Sequence, residues 1–231
     1  MLRILLATLP RFALFLLALI PVLMGIDTLI SMQQGTLNTL TEPHDLIRRA
    51  SYPWALTGHI LGGSALLILG FAQFSARLHR ACPACHRWTG RALILLGVFF
   101  ALSSLWMNFS DQAMAASALH DGAQNVVAVL FLIVLGLGVA AIRRGEVARH
   151  RVWMLRAYAL TLGAATQTVM LLPVFLVYGS VEGTAFDLVF IFGWLLNLAV
   201  AEVLNRRRQR PRPLSTALTA AQIATAQRAA P

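Results

Sequence analysis

Long apolar runs alternate along this chain with short polar segments that are rich in arginine. A helix rises about 1.5 Å per residue, so crossing ~30 Å of hydrocarbon takes roughly 20 apolar residues. Six runs approach or exceed that length: Phe12 to Met32, Trp54 to Phe74, Trp88 to Asn108, Ala115 to Ile142, Val152 to Tyr178 and Phe186 to Asn205. The pattern predicts an all-α membrane protein of about six transmembrane helices, with helices 2–5 forming a central four-helix bundle. Pro21 and Pro173 fall inside the first and fifth runs, where neighbouring helices can satisfy the freed carbonyls, so kinks are expected rather than breaks. Arg3 ahead of an apolar stretch has the look of a secretion signal. Pro10 and Arg11 interrupt that stretch, a run long enough to span follows, and no small-x-small cleavage site appears, which predicts an uncleaved first helix. The chain divides into residues 1–33, an N-terminal segment with the first helix; 52–205, a five-helix membrane core; and 206–231, a basic tail of low complexity expected to be disordered and cytoplasmic.

Composition supports lipid as the solvent: of 231 residues 58% are hydrophobic and 12% charged, with a mean hydropathy of +0.71. The 19 basic residues are all arginine and give a net charge of +10. They occupy short loops between apolar runs, which is a topology signal and not a nucleic-acid surface. In the six-span arrangement Arg3, Arg11, Arg77, Arg80, Arg87, Arg91, Arg143, Arg144, Arg149, Arg151, Arg156 and the tail arginines share one side, against Arg48 and Arg49 on the other. Both termini are therefore expected in the cytoplasm. Asp27, Glu42, Asp45, Asp111, Asp121, Glu182 and Asp187 lie opposite the arginines, with Glu146 and Glu202 as exceptions.

Ionisable groups inside a membrane are costly and mark function by default. Spans two to five each carry one histidine: His59, His86, His120 and His150. Spans two and four run in the same direction, which places His59 and His120 at one depth. By the same argument His86 and His150 share the other. Two stacked pairs in a four-helix core suit two haems, each iron taking imidazoles from two facing helices. His86 opens HRWTGR and His150 opens HRVWMLR, a loose internal repeat. Arg91 and Arg156 lie one to two turns further in, where each needs an anion such as a haem propionate. Small residues after His59 and His120 leave room for a macrocycle or for close helix packing. His44 and His79 read as solvated loop residues, with His79 a substitute for His86. Asn125, Gln167 and Asn197 read as interhelical hydrogen bonds.

From Trp54 to Asn205, the strings HRWTGR and HRVWMLRAYALT resemble the bacterial membrane-protein family of unknown function DUF2306. More distantly, one histidine on each of four core helices is similar in layout to the cytochrome b-561 family. That resemblance implies transmembrane electron transfer through two b-type haems, ligated here by His59 with His120 and by His86 with His150. The family's ascorbate-site motifs are absent, so quinol or another small reductant is equally open as donor.

Cys82-Pro83-Ala84-Cys85-His86 matches the c-type haem attachment string. The flanking arginines put it on the cytoplasmic side, where attachment does not occur, which leaves incidental cysteines, a redox-active pair or a metal site with His79 or His86. Asp121 is a candidate to orient His120, or else it answers the helix dipole. No nucleotide-binding or common hydrolase motif is present. The expectation is a membrane oxidoreductase with two haem b and no acid–base catalyst of its own. Its partners would be lipid, an electron donor and acceptor and, as a homodimer, a second copy, but no nucleic acid. The rival readings are a transporter or sensor using the histidine pairs for protons, and a metal-handling site in which Asp121 joins the outer pair.

Overall fold

The computed structural model describes residues 2–35, 52–110, 117–178 and 184–209. These form α1 (Leu2–Gln34), α2 (Pro53–Gln73), α3 (Ala76–Ala81), α4 (Pro83–Ser110), α5 (Ala118–Arg143), α6 (Val147–Thr161), α7 (Gly163–Tyr178) and α8 (Thr184–Gln209). Six stretches are long and apolar enough to cross a membrane: Phe15–Gln34, Pro53–Gln73, Pro83–Ser110, Ala118–Arg143, Val147–Val174 and Thr184–Arg208. The all-α, six-span reading of the sequence therefore stands, with the fifth span made of α6 and α7. The segment carrying His44 and most of the tail, residues 210–231, lie outside the described residues. The sixth helix runs past Asn205 and takes Arg206, Arg207 and Arg208 into its last turn.

Helix starts follow local chemistry. Pro53 and Pro83 open α2 and α4, where a missing N–H costs nothing. The Ser75 and Ser117 side chains cap α3 and α5 by accepting from the backbone N–H of Leu78 and His120. Between α5 and α6 the chain reverses at Gly145, whose φ of 75° lies in the left-handed region. There the Gly145 N–H donates to Ile142 O at 3.0 Å and the Glu146 N–H to Ala141 O at 2.9 Å. This helix-ending motif closes the fourth span and sends the fifth back beside it.

The second span packs on the third, the third on the fourth, the fourth on the fifth, and the fifth again on the second. That closed square puts spans two and four, and spans three and five, across its diagonals. Leu66, Leu93, Phe131, Val134, Leu135 and Leu160 fill its centre. The first span lies against spans two and five, and the sixth against five and four. Leu95, Val126, Leu176 and Val177 are among the large side chains left exposed on the outside, where they suit lipid.

The fifth span breaks at Leu162, eleven positions before Pro173, while the helix continues through the proline to Tyr178. Thr161 Oγ1 donates back to Ala157 O at 3.1 Å, a bond that bends helices. A Cβ on Gly163 would come within 2.1 Å of Trp194 Nε1. No proline stands at the discontinuity, and Gly163 is what lets Trp194 of the sixth span approach so closely there. Buried polar residues knit the spans as expected. Asn108 Nδ2 donates to Asn125 Oδ1 at 3.1 Å, Thr166 Oγ1 to Asn197 Oδ1 at 3.0 Å, and Gln167 Nε2 to Phe190 O at 2.8 Å. Tyr158 OH adds a bond to Leu67 O at 3.0 Å, tying span five to span two.

Candidate functional site

At the arginine-rich end, His86 sits in the first turn of α4 and His150 in the first turn of α6. The short α3 folds back so that His79 meets His86 edge-on, with ring centroids 4.9 Å apart. His79, His150, Arg151 and Arg87 are all close enough to His86 to act on it electrostatically. His150 thus lies within electrostatic range of His86, as the predicted inner pair requires, and His79, exposed as the sequence reading expected, packs beside His86. His150 Nδ1 lies 2.9 Å from Gly138 O on the fourth span. His86 Nδ1 is buried and meets no hydrogen-bond partner among the described residues.

Next to this pair, Cys82 and Cys85 are joined by a disulfide. They are thus neither incidental free thiols nor open to thioether attachment in this state. The Cys85 N–H donates to Cys82 Sγ at 3.2 Å.

The two arginines assigned to haem propionates have other neighbours. Arg91 is exposed, with its guanidinium 4.9 Å from the Trp88 ring centroid. Arg156 lies over Trp153 at 4.5 Å and finds its anion in Glu202 of the sixth span, at 2.7 Å. Glu202 also receives Arg206 at 3.5 Å. Glu146, the other acid on the arginine side, pairs with Arg149 at 3.0 Å and Arg144 at 3.1 Å. Hydrogen bonding from Arg149, reinforced by the charge of Arg144, holds the Glu146 carboxyl below its usual range despite some desolvation. Both exceptions to the charge separation are therefore ion-pair partners.

At the opposite end, His59 Nδ1 lies 3.0 Å from Phe100 O on the third span and 3.4 Å from Ser103 Oγ, and its ring stacks on Phe100 at 4.2 Å. His120, only 8% exposed, is held toward the sixth span between Phe186 and Phe190, with centroids at 5.4 Å and 4.7 Å. Its Nε2 is 2.7 Å from Gln124 Nε2, and its Nδ1 is 3.6 Å from Asp187 Oδ1. Ser117 Oγ, while capping α5, donates to Asp187 Oδ2 at 2.5 Å. The carboxylate against His120 is thus that of Asp187 and not that of the adjacent Asp121. These bonds direct His59 toward span three and His120 toward span six.

Asp187, Gln124 and Glu202 are the polar neighbours that the sequence reading missed. Depth matching would have found the first, because Asp187 and His120 each stand in the first turn of a helix that starts at the same end.

As iron ligands, His86 and His150 are compatible with the arginine-rich end: His86 has a buried imidazole nitrogen without a hydrogen-bond partner among the described residues, and His150, within electrostatic range of it, has its Nδ1 anchored to a carbonyl. Arg156 does not fit as a propionate partner, because Glu202 already neutralises it. A groove of about 300 Å³ between spans three and four, lined by Ile94, Val98, Leu132, Gly136 and their neighbours, is bordered by no histidine. Among the described residues no group of three or more His, Cys, Asp or Glu is arranged to hold a metal ion directly.

The family described as predicted membrane protein (DUF2306) matches residues 56–205, which is more than half of the chain and includes all four core histidines. No curated protein and no solved structure matches the chain.

Proposed function

The chain belongs to the predicted membrane protein family DUF2306, and from that premise we propose that it carries single electrons across the bacterial inner membrane on b-type haem held by paired histidines. The observation that carries this reading is repeated at both ends of the bundle. His59 Nδ1 is anchored to Phe100 O and His150 Nδ1 to Gly138 O, each on the neighbouring span. An imidazole whose Nδ1 donates to a carbonyl presents Nε2 for coordination, with the ring orientation fixed. Each anchored histidine has a second histidine on the span across the diagonal. His86 and His150 would hold one haem; His59 and His120, which their bonds turn toward spans three and six, would have to swing back toward each other to hold a second. When bound, haem supplies one-electron exchange, and irons filled by two imidazoles favour electron transfer over oxygen chemistry. The arginine count supports a cytoplasmic position for both termini and for the His86–His150 end. Quinol or another small reductant is the donor class.

Purification from haem-replete cells in mild detergent, with visible spectra before and after dithionite, tests the reading. A sharp reduced b-type band is expected, reduced in amplitude by about half in His150→Ala and likewise in His59→Ala, since each variant removes one of two sites. A colourless preparation overturns it.

One observation favours a second reading. His120, Asp187, Ser117 and Gln124 form a partly buried polar group at the opposite end, with His120 and Asp187 at its buried centre, and such a group can take up or relay protons. In a colourless protein, proton-linked transport or pH sensing that is lost in Asp187→Asn would support it.

A further inference from the structure

We infer that Cys82 and Cys85 form a reactive disulfide on the arginine-rich face, reduced and re-formed by exchange with a soluble dithiol. Stabilisation does not explain the bond. A disulfide restricts the unfolded chain more the longer the loop it closes, with the logarithm of its length, and these residues are only three positions apart. Its setting suits chemistry instead. Cys85 is exposed and Cys82 half-buried at the entrance to α4, outside the apolar part of the span. Arg80 and Arg87 are exposed on either side. Negative charge on Cys82 Sγ is met by the Cys85 N–H at 3.2 Å and by the positive end of a 28-residue helix. These are the only two cysteines in the chain, so the pair has no internal competitor for exchange.

The exchange runs in two balanced steps. A thiolate of the incoming dithiol attacks Cys85 Sγ, the exposed sulfur. A mixed disulfide forms, the Cys82–Cys85 bond breaks, and Cys82 Sγ leaves as a thiolate toward the Cys85 N–H and takes up a proton. The second thiol of the incoming molecule then loses its proton and attacks its own bonded sulfur, closing that molecule's disulfide and releasing Cys85 as a thiol. The reverse sequence, with a soluble disulfide, re-forms the bond. Nothing in these steps requires haem.

The test uses the full chain in mild detergent, dithiothreitol as the dithiol, and mass tagging by a maleimide. After incubation with glutathione disulfide no tag is expected. Brief dithiothreitol treatment that leaves the helical circular dichroism unchanged should allow two tags, and glutathione disulfide should remove that reactivity again. Cys82→Ser, which keeps the exposed sulfur, should form a mixed disulfide with glutathione disulfide, releasing one glutathione, roughly tenfold faster than Cys85→Ser. Two tags on the glutathione-disulfide-treated protein would overturn the inference. So would a bond that yields only after the protein unfolds, or equal rates in the two variants. Each outcome is read without reference to colour, so failure here is distinct from failure of the haem reading.

Discussion

Gly163 and Gly136 show how much a single Cβ can matter, and with opposite sign. Trp194 Nε1 stands 2.1 Å from where a Gly163 Cβ would be built, whereas nothing lies within 4 Å of the corresponding atom on Gly136. Gly163→Ala therefore forces Trp194 and the sixth span away and should destabilise by about 1–3 kcal/mol. Gly136→Ala adds no clash and stiffens a helix interior, so it should be neutral or stabilising by up to about 1 kcal/mol. Unfolding midpoints of the two variants in one detergent check both signs. The sequence offers these glycines as equals; the contrast arises from which neighbour the fold brings to each.

Among the helices, the contact between α6 and α8 depends on a charge that the hydropathy pattern treats as an anomaly. Glu202 lies on the arginine side and binds Arg156 at 2.7 Å and Arg206 at 3.5 Å. Arg156 also covers the Trp153 ring, so removing Glu202 leaves a guanidinium without its anion at the edge of the bundle. Glu202→Gln should lower the unfolding midpoint, and the exchanged pair Arg156→Glu with Glu202→Arg should recover part of the loss. Thermal unfolding of the single and double variants measures the coupling. No recovery would mean that Arg156 is held by Trp153 alone. The long apolar helices were legible in the sequence because lipid demands about 20 apolar residues per crossing. The division of the fifth span into α6 and α7 was not, since no proline stands at Leu162 to mark it.

For the whole molecule, the arginine distribution predicts an orientation that a reporter can test. A fluorescent protein fused after Gln209 should fold and glow in the cytoplasm, and alkaline phosphatase at the same junction should be inactive. Phosphatase inserted between the third and fourth spans should be active. The reverse pattern would place Cys82, Cys85, His86 and His150 on the outer side and would restore the c-type attachment reading of the C-x-x-C-H string. The square of spans two to five sets across its diagonals the spans whose histidines the proposal pairs.

The sequence by itself determined the all-α class and the six apolar spans, because apolar run length acts locally along the chain. It also indicated that Asn125, Gln167 and Asn197 bond between helices, since a buried amide in lipid must find a partner. Tertiary structure alone decided the partners themselves. It gave His120 the carboxylate of Asp187 from the sixth span, gave Arg156 the carboxylate of Glu202 where a haem propionate had been expected, and folded His79 back onto His86. Depth along a helix follows from counting residues, but the side on which a residue meets its neighbour depends on how the helices rotate as they pack, and that is settled only by the contacts of the folded bundle.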